Sequence, residues 1–274
     1  MDNNNNNLPT VSLDYWSDFA KELVKFANIK PKGRILDVGT GNGVCLVAVT
    51  DKLKGNCHLV GIDQNGDKLF QARDKFKNIE TRSVKFHTME ASSLEFEDNS
   101  FDNILCGFIG FSDSYDFEKN QLINNAKMKE IFRVLKPEGE AAFSTWAAQQ
   151  DIETARGLLQ RYLKLKNLKT KNQIENLSIS YSKESVDGFK LIMEDAGFKK
   201  IKISENHFNI IYKSIEEWWE SMEYAAWIMR YTLNHDANKL LDLKKNMLPQ
   251  GIQDFKREGN YIFQKSVIFA YGIK

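Results

Sequence analysis

The segment RILDVGTGNGVCLVAV, residues 34–49, constrains the fold of this chain more than any other. Two apolar runs, which favour burial, are separated by glycines at alternate positions, Gly39, Gly41 and Gly43. Glycine adopts positive φ readily and lets backbone N–H groups approach a ligand closely. The segment therefore predicts a buried strand, a tight ligand-binding turn, and a helix that begins at the turn.

The rest of the chain first alternates apolar runs with helical patterns and then becomes less regular. Strands are predicted at residues 33–39, 57–63, 83–90, 101–108, 139–146, 198–211 and 261–274, and helices at 12–28, 43–53, 66–78, 126–135, 151–167, 182–197 and 214–233. Strands that alternate with helices indicate βαβ units and a parallel sheet. The fold class predicted from this alternation is α/β.

The domain organisation follows from where this alternation stops. Residues 1–11, with their run of asparagines, are expected to be a disordered lead. Residues 12–146 are expected to form a cofactor-binding core and residues 147–274 the rest of the sheet, in one domain overall. Helical stretches at about 147–181 and 212–258 interrupt the later strands, and we expect them to cap the substrate side.

Composition excludes several classes of protein. Thirty-eight basic and 37 acidic side chains give a net charge of +1, which argues against nucleic acid as a partner. Cys45, Cys57, Cys106 and the four histidines show no metal-ligand spacing, so we expect no metal. No apolar stretch reaches the roughly 20 residues of a membrane helix, and the N-terminus lacks the features of a signal peptide. A cytoplasmic protein without a membrane partner is expected.

Two carboxylates near the glycines indicate which cofactor the turn binds. Asp63 ends the second predicted strand about 20 residues after Gly43, where an acidic residue accepts hydrogen bonds from ribose hydroxyls. Asp37 precedes the turn, where its charge would repel a pyrophosphate but suits the ammonium group of an amino acid. An amino acid joined to adenosine is S-adenosylmethionine, which is therefore favoured over NAD.

Four motifs in this order resemble those of the class I S-adenosylmethionine-dependent methyltransferases, specifically their type-11, small-molecule-like branch. They are ILDVGTGNG (35–43), GIDQN (61–65), MEASSLEFEDNSFD (89–102) and MKEIFRVLKPEGEAAFSTW (128–146). The resemblance covers about residues 30–146. It implies a Rossmann-like, doubly wound, mostly parallel seven-stranded sheet whose last strand is antiparallel, with helical cap insertions.

The resemblance also implies the contacts of S-adenosylmethionine and its product S-adenosylhomocysteine. The methionine part would lie on the turn Gly39, Thr40, Gly41, Asn42 and Gly43, with its amino group at Asp37. The adenosine part would lie against Asp63, Gln64, Glu90 and Ala91. Glu90 stands where the family usually has aspartate. Cys106 and Gly107 would lie near the reactive sulfonium.

The substrate side is predicted only from aromatic residues near the strand ends. Methyl transfer from a sulfonium is an in-line displacement that depends on alignment and exclusion of water, so no catalytic residue is assigned. The candidate substrate residues are Tyr15, Phe108, Phe111, Trp146 and Trp218, and the candidates for a base are His207 and Tyr212.

Helix 214–233 has an unusual aromatic load. Its residues Trp219, Tyr224, Trp227 and Tyr231 fall outside its apolar stripe and indicate either an apolar pocket or a homodimer contact. Its glutamates, Glu216, Glu217, Glu220 and Glu223, favour a solvated acidic face over a site for a cationic amine.

The predicted function is S-adenosylmethionine-dependent methyl transfer to O, N or C of a small apolar or aromatic molecule. The alternatives are a protein or RNA methyltransferase and a non-catalytic S-adenosylmethionine-binding protein; a NAD-dependent reductase is more distant.

Overall fold

The computed structural model describes residues 8–168, 184–221, 233 and 236–274, which form two compact units. The first unit contains the described parts of 14–147, 182–206 and 267–274, and the second those of 1–13, 148–181 and 207–266. Every residue predicted to bind the cofactor lies in the first unit. The second unit collects most of the described residues of the two stretches predicted as insertions; that these cap the substrate side of a single domain stays a prediction.

The predicted strands and helices are present where the structure describes them, mostly with ends that differ by a few residues, and several short elements that were not predicted occur as well. In chain order the described elements are β1 (Thr10–Val11), α1 (Tyr15–Phe26), β2 (Arg34–Val38), α2 (Val44–Leu53), β3 (His58–Asp63), α3 (Gly66–Phe76), β4 (Ser83–Thr88), β5 (Phe101–Gly107), β6 (Tyr115–Asp116), β7 (Gln121–Leu122), α4 (Ala126–Val134), β8 (Leu135–Gln149), α5 (Gln150–Leu165), α6 (Val186–Ala196), β9 (Lys199–Tyr212), α7 (Ile215–Ser221), α8 (Ala237–Asn246), α9 (Leu248–Gly251), β10 (Lys256–Arg257) and β11 (Asn260–Ile273).

In the described part of the chain, nine strands form one sheet in the order β1-β9-β11-β8-β5-β2-β3-β4, with β10 paired to β11. Strand β2 runs parallel to β3 and β5, β3 to β4, and β5 to β8. Strand β11 is antiparallel to β8. Lys274 N, just after β11, donates to Gly139 O near the start of β8 at 3.1 Å, whereas Lys265 Nζ, near the start of β11, donates to Gln149 at the end of β8. The seven longer strands confirm the predicted mostly parallel sheet with an antiparallel last strand.

Residues 10 and 11 differ from the predicted disordered lead. Strand β1 pairs in parallel with β9, so that Thr10 lies opposite Asn209 and Val11 opposite Ile210. Both residues of β1 are β-branched, which favours a strand, and Val11 is buried. The partner strand lies almost 200 residues along the chain, which is why a local pattern did not reveal the pairing. Residues 1–7 of the predicted lead lie outside the described residues.

Strand register brings the candidate site residues together. The core positions Ile35, Leu36 and Val38 of β2 have no exposed surface, as expected of a parallel strand covered on both faces. Val38 lies opposite both Ile62 and Cys106 in the neighbouring strands. The carboxyl ends of β2, β3, β4 and β5 therefore meet at one edge of the sheet, where ligands of such folds bind.

Of the predicted helix 214–233, the structure describes residues 214–221 and 233, and the helix Ile215–Ser221 lies within them. Ser214 Oγ accepts from Glu217 N at 3.1 Å, and the Glu217 carboxylate accepts from Lys213 N. Both side chains thus cap the start of the helix, as in a capping box. Tyr224, Trp227, Tyr231 and Glu223 lie outside the described residues. Among the described helices, none is long and apolar enough to cross a membrane.

Candidate cofactor site

The glycine turn between β2 and α2 has the backbone that its sequence predicted. Gly39, Gly41 and Gly43 have φ of 72°, 54° and 84°, in the left-handed region where side chains are strained. At Gly39 a Cβ would lie 2.0 Å from Cγ2 of Ile109, so the loop after β5 packs directly on the turn. Gly43 caps α2, and the N–H groups of the first turn of a helix are available to a ligand.

Asp63 at the end of β3 is oriented toward this turn. Its Oδ2 accepts from Gly41 N and its Oδ1 from Asn65 N, both at 2.8 Å. A carboxylate has about four acceptor positions, so the half-buried Asp63 retains acceptor capacity for the two hydroxyls of a ribose. The predicted pairing of the turn with Asp63 is thus present in the structure.

Asp37 is the buried acidic group of the site. Its side chain is 1% exposed, and its Oδ2 has no hydrogen-bond partner among the described residues. Burial, opposed by a hydrogen bond from Thr40 and assisted by the nearby charge of Asp63, raises the pKa of Asp37 to about 7. A buried oxygen without a partner is unfavourable, and an ammonium group would satisfy it. This observation fits the amino group of S-adenosylmethionine.

A cavity of about 540 Å³ lies beyond Asp63, within the usual range for small-molecule sites. It is lined by Gln64, Thr88, Met89, Glu90, Ser93 and Glu95. Gln64 and Glu90, both predicted beside the adenine, therefore face one cavity. Ala91 is half-buried and packs against the core next to it. The other lining residues were not predicted. Thr88 lies opposite Asp63 in the register of β3 and β4, which places the end of β4 at the same side of the site.

The fourth family-like motif supports the loop beside this cavity. Arg133 forms hydrogen bonds of 2.7–2.8 Å to Glu130, to Asp98 and to the carbonyl oxygens of Leu94 and Phe96. Glu130 also accepts from Leu94 N at 2.8 Å. The E-x-x-R spacing on α4 thus fixes residues 94–98, which include the cavity-lining Glu95.

Cys106 and Gly107 end β5, as predicted. Burial raises the pKa of the Cys106 thiol and that of Cys45 well above their usual range, so both thiols are protonated at neutral pH. A Cβ at Gly107 would lie 3.4 Å from Cys45 Sγ and 3.5 Å from Ser144 Oγ, so this strand end is closely packed. These cysteines are accordingly not activated nucleophiles.

Five aromatic rings gather after Gly107, and we call them the aromatic cluster: Tyr15, Trp16, Phe19, Phe108 and Trp146. The Phe108 and Trp146 centroids are 4.5 Å apart, and Trp16 packs edge-on against both, at 5.3 and 5.8 Å. Phe19 is fully buried, whereas Trp16 is 44% exposed. The structure thus joins three of the predicted substrate residues, Tyr15, Phe108 and Trp146, to two that were not predicted.

Phe111 and Trp218 are not part of the aromatic cluster. Phe111 is 1% exposed and packs edge-on against Phe143 and Phe189 in the core of the first unit. Trp218 lies in the second unit, stacked on Phe263 at 5.4 Å. Of the candidate bases, His207 Nδ1 hydrogen-bonds Ser266 Oγ, and Tyr212 OH donates to Asp151. The rings of Phe111 and Trp218 are buried in their units, and the roles predicted for these four residues at the substrate stay predictions.

No group of three or more potential metal ligands occurs within the described ranges. The expectation that the reaction needs no metal stays a prediction.

Comparison with known proteins places this geometry in a family. Residues 29–197, more than half of the chain, match the family model described as "Methyltransferase domain". The ubiquinone/menaquinone biosynthesis C-methyltransferase of Geotalea daltonii is 30% identical over 134 residues, 47% of this chain and 52% of that protein. The demethylmenaquinone methyltransferase of Staphylococcus haemolyticus is 27% identical over 201 residues, 70% of this chain and 80% of that protein.

A solved structure has a fold similar to that of this chain. Phosphoethanolamine N-methyltransferase 2 of Haemonchus contortus, in complex with S-adenosyl-L-methionine, superposes with a TM-score of 0.53 at 15% identity. The match covers 94% of this chain and 52% of that one. The chain spans about half the length of the first curated relatives that it matches.

Proposed function

Since this chain belongs to the class I S-adenosylmethionine-dependent methyltransferase family, as the sequence motifs predicted, we propose that it transfers a methyl group to a small, apolar or aromatic acceptor. The observation that carries this proposal is the aromatic cluster. Its member Phe108 directly follows Gly107 at the end of β5 and packs on Trp146. The same edge of the sheet holds the glycine turn, Asp37 and Asp63.

Different residues of the chain would bind different parts of the cofactor. When bound, S-adenosylmethionine supplies a methyl group on a positively charged sulfur, already activated for displacement. Asp37 would hold the ammonium group, Asp63 the ribose hydroxyls, and Gln64 and Glu90 would face the adenine in their cavity. Alignment within a site that excludes water supplies most of the remaining rate acceleration.

The aromatic cluster supports a planar or apolar acceptor. Its exposed member, Trp16, and the half-buried Tyr15, Phe108 and Trp146 present ring faces and edges, which favour planar or apolar molecules. The names of two relatives, methyltransferases of quinone biosynthesis, support a small ring-containing acceptor as well. The acceptor atom stays open among O, N and C.

A methyl-transfer assay with Trp16→Ala tests this proposal. The chain is incubated with S-adenosylmethionine labelled in the methyl group and with a panel of phenols, quinols, aromatic amines and aliphatic counterparts. We expect label on planar acceptors, and Trp16→Ala to lower kcat/KM about tenfold, the effect of losing one stacking contact of about 1.4 kcal/mol.

The matched control is Phe70→Ala. Phe70 is 68% exposed on α3, outside the aromatic cluster, so its loss should leave kcat/KM unchanged. Label only on aliphatic acceptors, or equal effects of the two substitutions, would contradict the assignment of the aromatic cluster.

A further inference from the structure

Glu184 is a buried carboxylate that the proposed function does not use. It precedes α6 in the first unit and is 2% exposed. Its backbone N donates to Trp146 O at 3.0 Å, and its Oε1 accepts from Phe111 N at 2.5 Å. One residue therefore contacts both the end of β8 and the loop that follows β5.

That loop, residues 108–113, which we call the β5 loop, is held from a second side. Lys127 Nζ donates to Gly110 O at 2.9 Å, pairs with Asp113 at 3.0 Å and lies 5.3 Å from the Phe111 ring centroid. Phe108 has a φ of 57°, an unfavourable conformation for a bulky residue that persists only when its surroundings impose it.

The β5 loop contacts both halves of the proposed site. On the acceptor side, Phe108 packs on Trp146 at 4.5 Å, within the aromatic cluster. On the cofactor side, Ile109 packs so closely on Gly39 that a methyl group there would not fit. The position of this loop therefore fixes an acceptor ring and the glycine turn together.

We propose that Glu184 is a positioning residue that sets the β5 loop, and through it both the glycine turn and the Phe108–Trp146 pair. This inference rests on the proposed function, because it assigns Glu184 to the alignment of the two substrates. Glu184 acts through Phe111 and Trp146 and is given no contact with the reacting atoms.

Charges around Cys106 are consistent with this placement. The pKa of the buried thiol is raised by burial, lowered by Lys127 and raised by Asp37 and Glu184. The charges of Lys127 and Glu184, which hold the β5 loop, therefore act on the end of β5, beside the glycine turn.

Three substitutions separate the role of the acceptor oxygen from that of the charge. Glu184→Gln keeps an oxygen that accepts from Phe111 N, Glu184→Asp shortens the side chain by one methylene, and Glu184→Ala removes the contact. We expect S-adenosylhomocysteine to bind Glu184→Ala about tenfold more weakly in calorimetric titration, equivalent to about 1.4 kcal/mol. Glu184→Asp should be intermediate and Glu184→Gln within about threefold of the original chain.

Amide hydrogen exchange provides a second readout on the β5 loop. Exchange of a peptide spanning residues 105–113 should accelerate in Glu184→Ala and be restored in Glu184→Gln. The matched control is Glu140, a buried glutamate of the same unit that lies on β8 and accepts from Asn28 Nδ2 at 3.1 Å. Glu140→Ala should change neither the exchange of this peptide nor the affinity.

The two proposals fail in different ways. If the original chain binds neither S-adenosylmethionine nor S-adenosylhomocysteine, the proposed function is wrong. If it binds them while Glu184→Ala matches the original chain in affinity and loop exchange, the role of Glu184 is wrong. If Glu184→Ala does not fold, Glu184→Asp decides the question, because unchanged affinity and exchange in that variant would equally overturn the inference.

Discussion

Substitution of Gly39 by alanine tests the geometry of the glycine turn quantitatively. Two costs arise at this position: a left-handed φ of 72°, and a Cβ placed 2.0 Å from Cγ2 of Ile109. The left-handed conformation costs a non-glycine residue about 1–2 kcal/mol, and overpacking adds about 1–3 kcal/mol. The free energy of unfolding should therefore fall by about 2–5 kcal/mol.

Gly41→Ala is the matched control, because it shares the first cost and not the second. Gly41 has a φ of 54°, but no atom lies within 4 Å of the Cβ it would acquire. Its substitution should cost only about 1–2 kcal/mol. The effect of alanine on the entropy of the unfolded chain is the same in both variants and cancels in the comparison.

Urea unfolding monitored by circular dichroism measures these differences, and Ile109 identifies their origin. In a double-mutant cycle, Gly39→Ala combined with Ile109→Ala should recover about 1–3 kcal/mol relative to the sum of the single effects. Equal losses for Gly39→Ala and Gly41→Ala, or additive effects with Ile109→Ala, would refute the close packing of the β5 loop on the turn.

Two further predictions concern buried ionisable groups. The pKa of Asp37 is raised to about 7 in the fold from an ordinary value of 3.8, so the folded chain keeps a proton there that the unfolded chain loses. The resulting contribution to the stability of the ligand-free protein is complete below about pH 4 and is lost as pH rises through 7. Unfolding free energies at pH 5 and 8 should show this decline, and a decline that persists in Asp37→Asn would assign it to another group. Lys265 Nζ lies 2.7 Å from Asp151 Oδ2 in the second unit, and both are buried, so Lys265→Met should cost about 3–5 kcal/mol by leaving a buried charge. Lys265→Met/Asp151→Leu should recover much of that loss in urea unfolding, and a double variant no more stable than Lys265→Met would contradict this account.

The local parts of the site could be predicted from the sequence, and the long-range parts could not. The turn, Asp37 and Asp63 follow from glycine spacing and from an acid at a strand end, since both depend on short stretches of chain. Trp16 was missed because helical spacing does not say which face of α1 meets Phe108. Glu184 was missed because its partner, Phe111 N, lies 73 residues away in sequence.

The outcome for Phe111 and Trp218 has a related cause. Large aromatic side chains are common both in cores and in ligand sites. Only the packing of Phe111 on Phe189 and of Trp218 on Phe263 shows that these two rings fill the interiors of their units. Exposure, which separates Trp16 from them, is a property of the folded chain.

The most direct test of the account is calorimetric titration with S-adenosylmethionine and S-adenosylhomocysteine, with NAD as the competing cofactor. We expect micromolar binding of both sulfur compounds and none of NAD. Asp63→Ala should abolish that binding, and Asp67→Ala, which removes an exposed carboxylate on α3, should preserve it. Binding of NAD in preference, or unchanged affinity in Asp63→Ala, would contradict the claim that the glycine turn and Asp63 form an S-adenosylmethionine site.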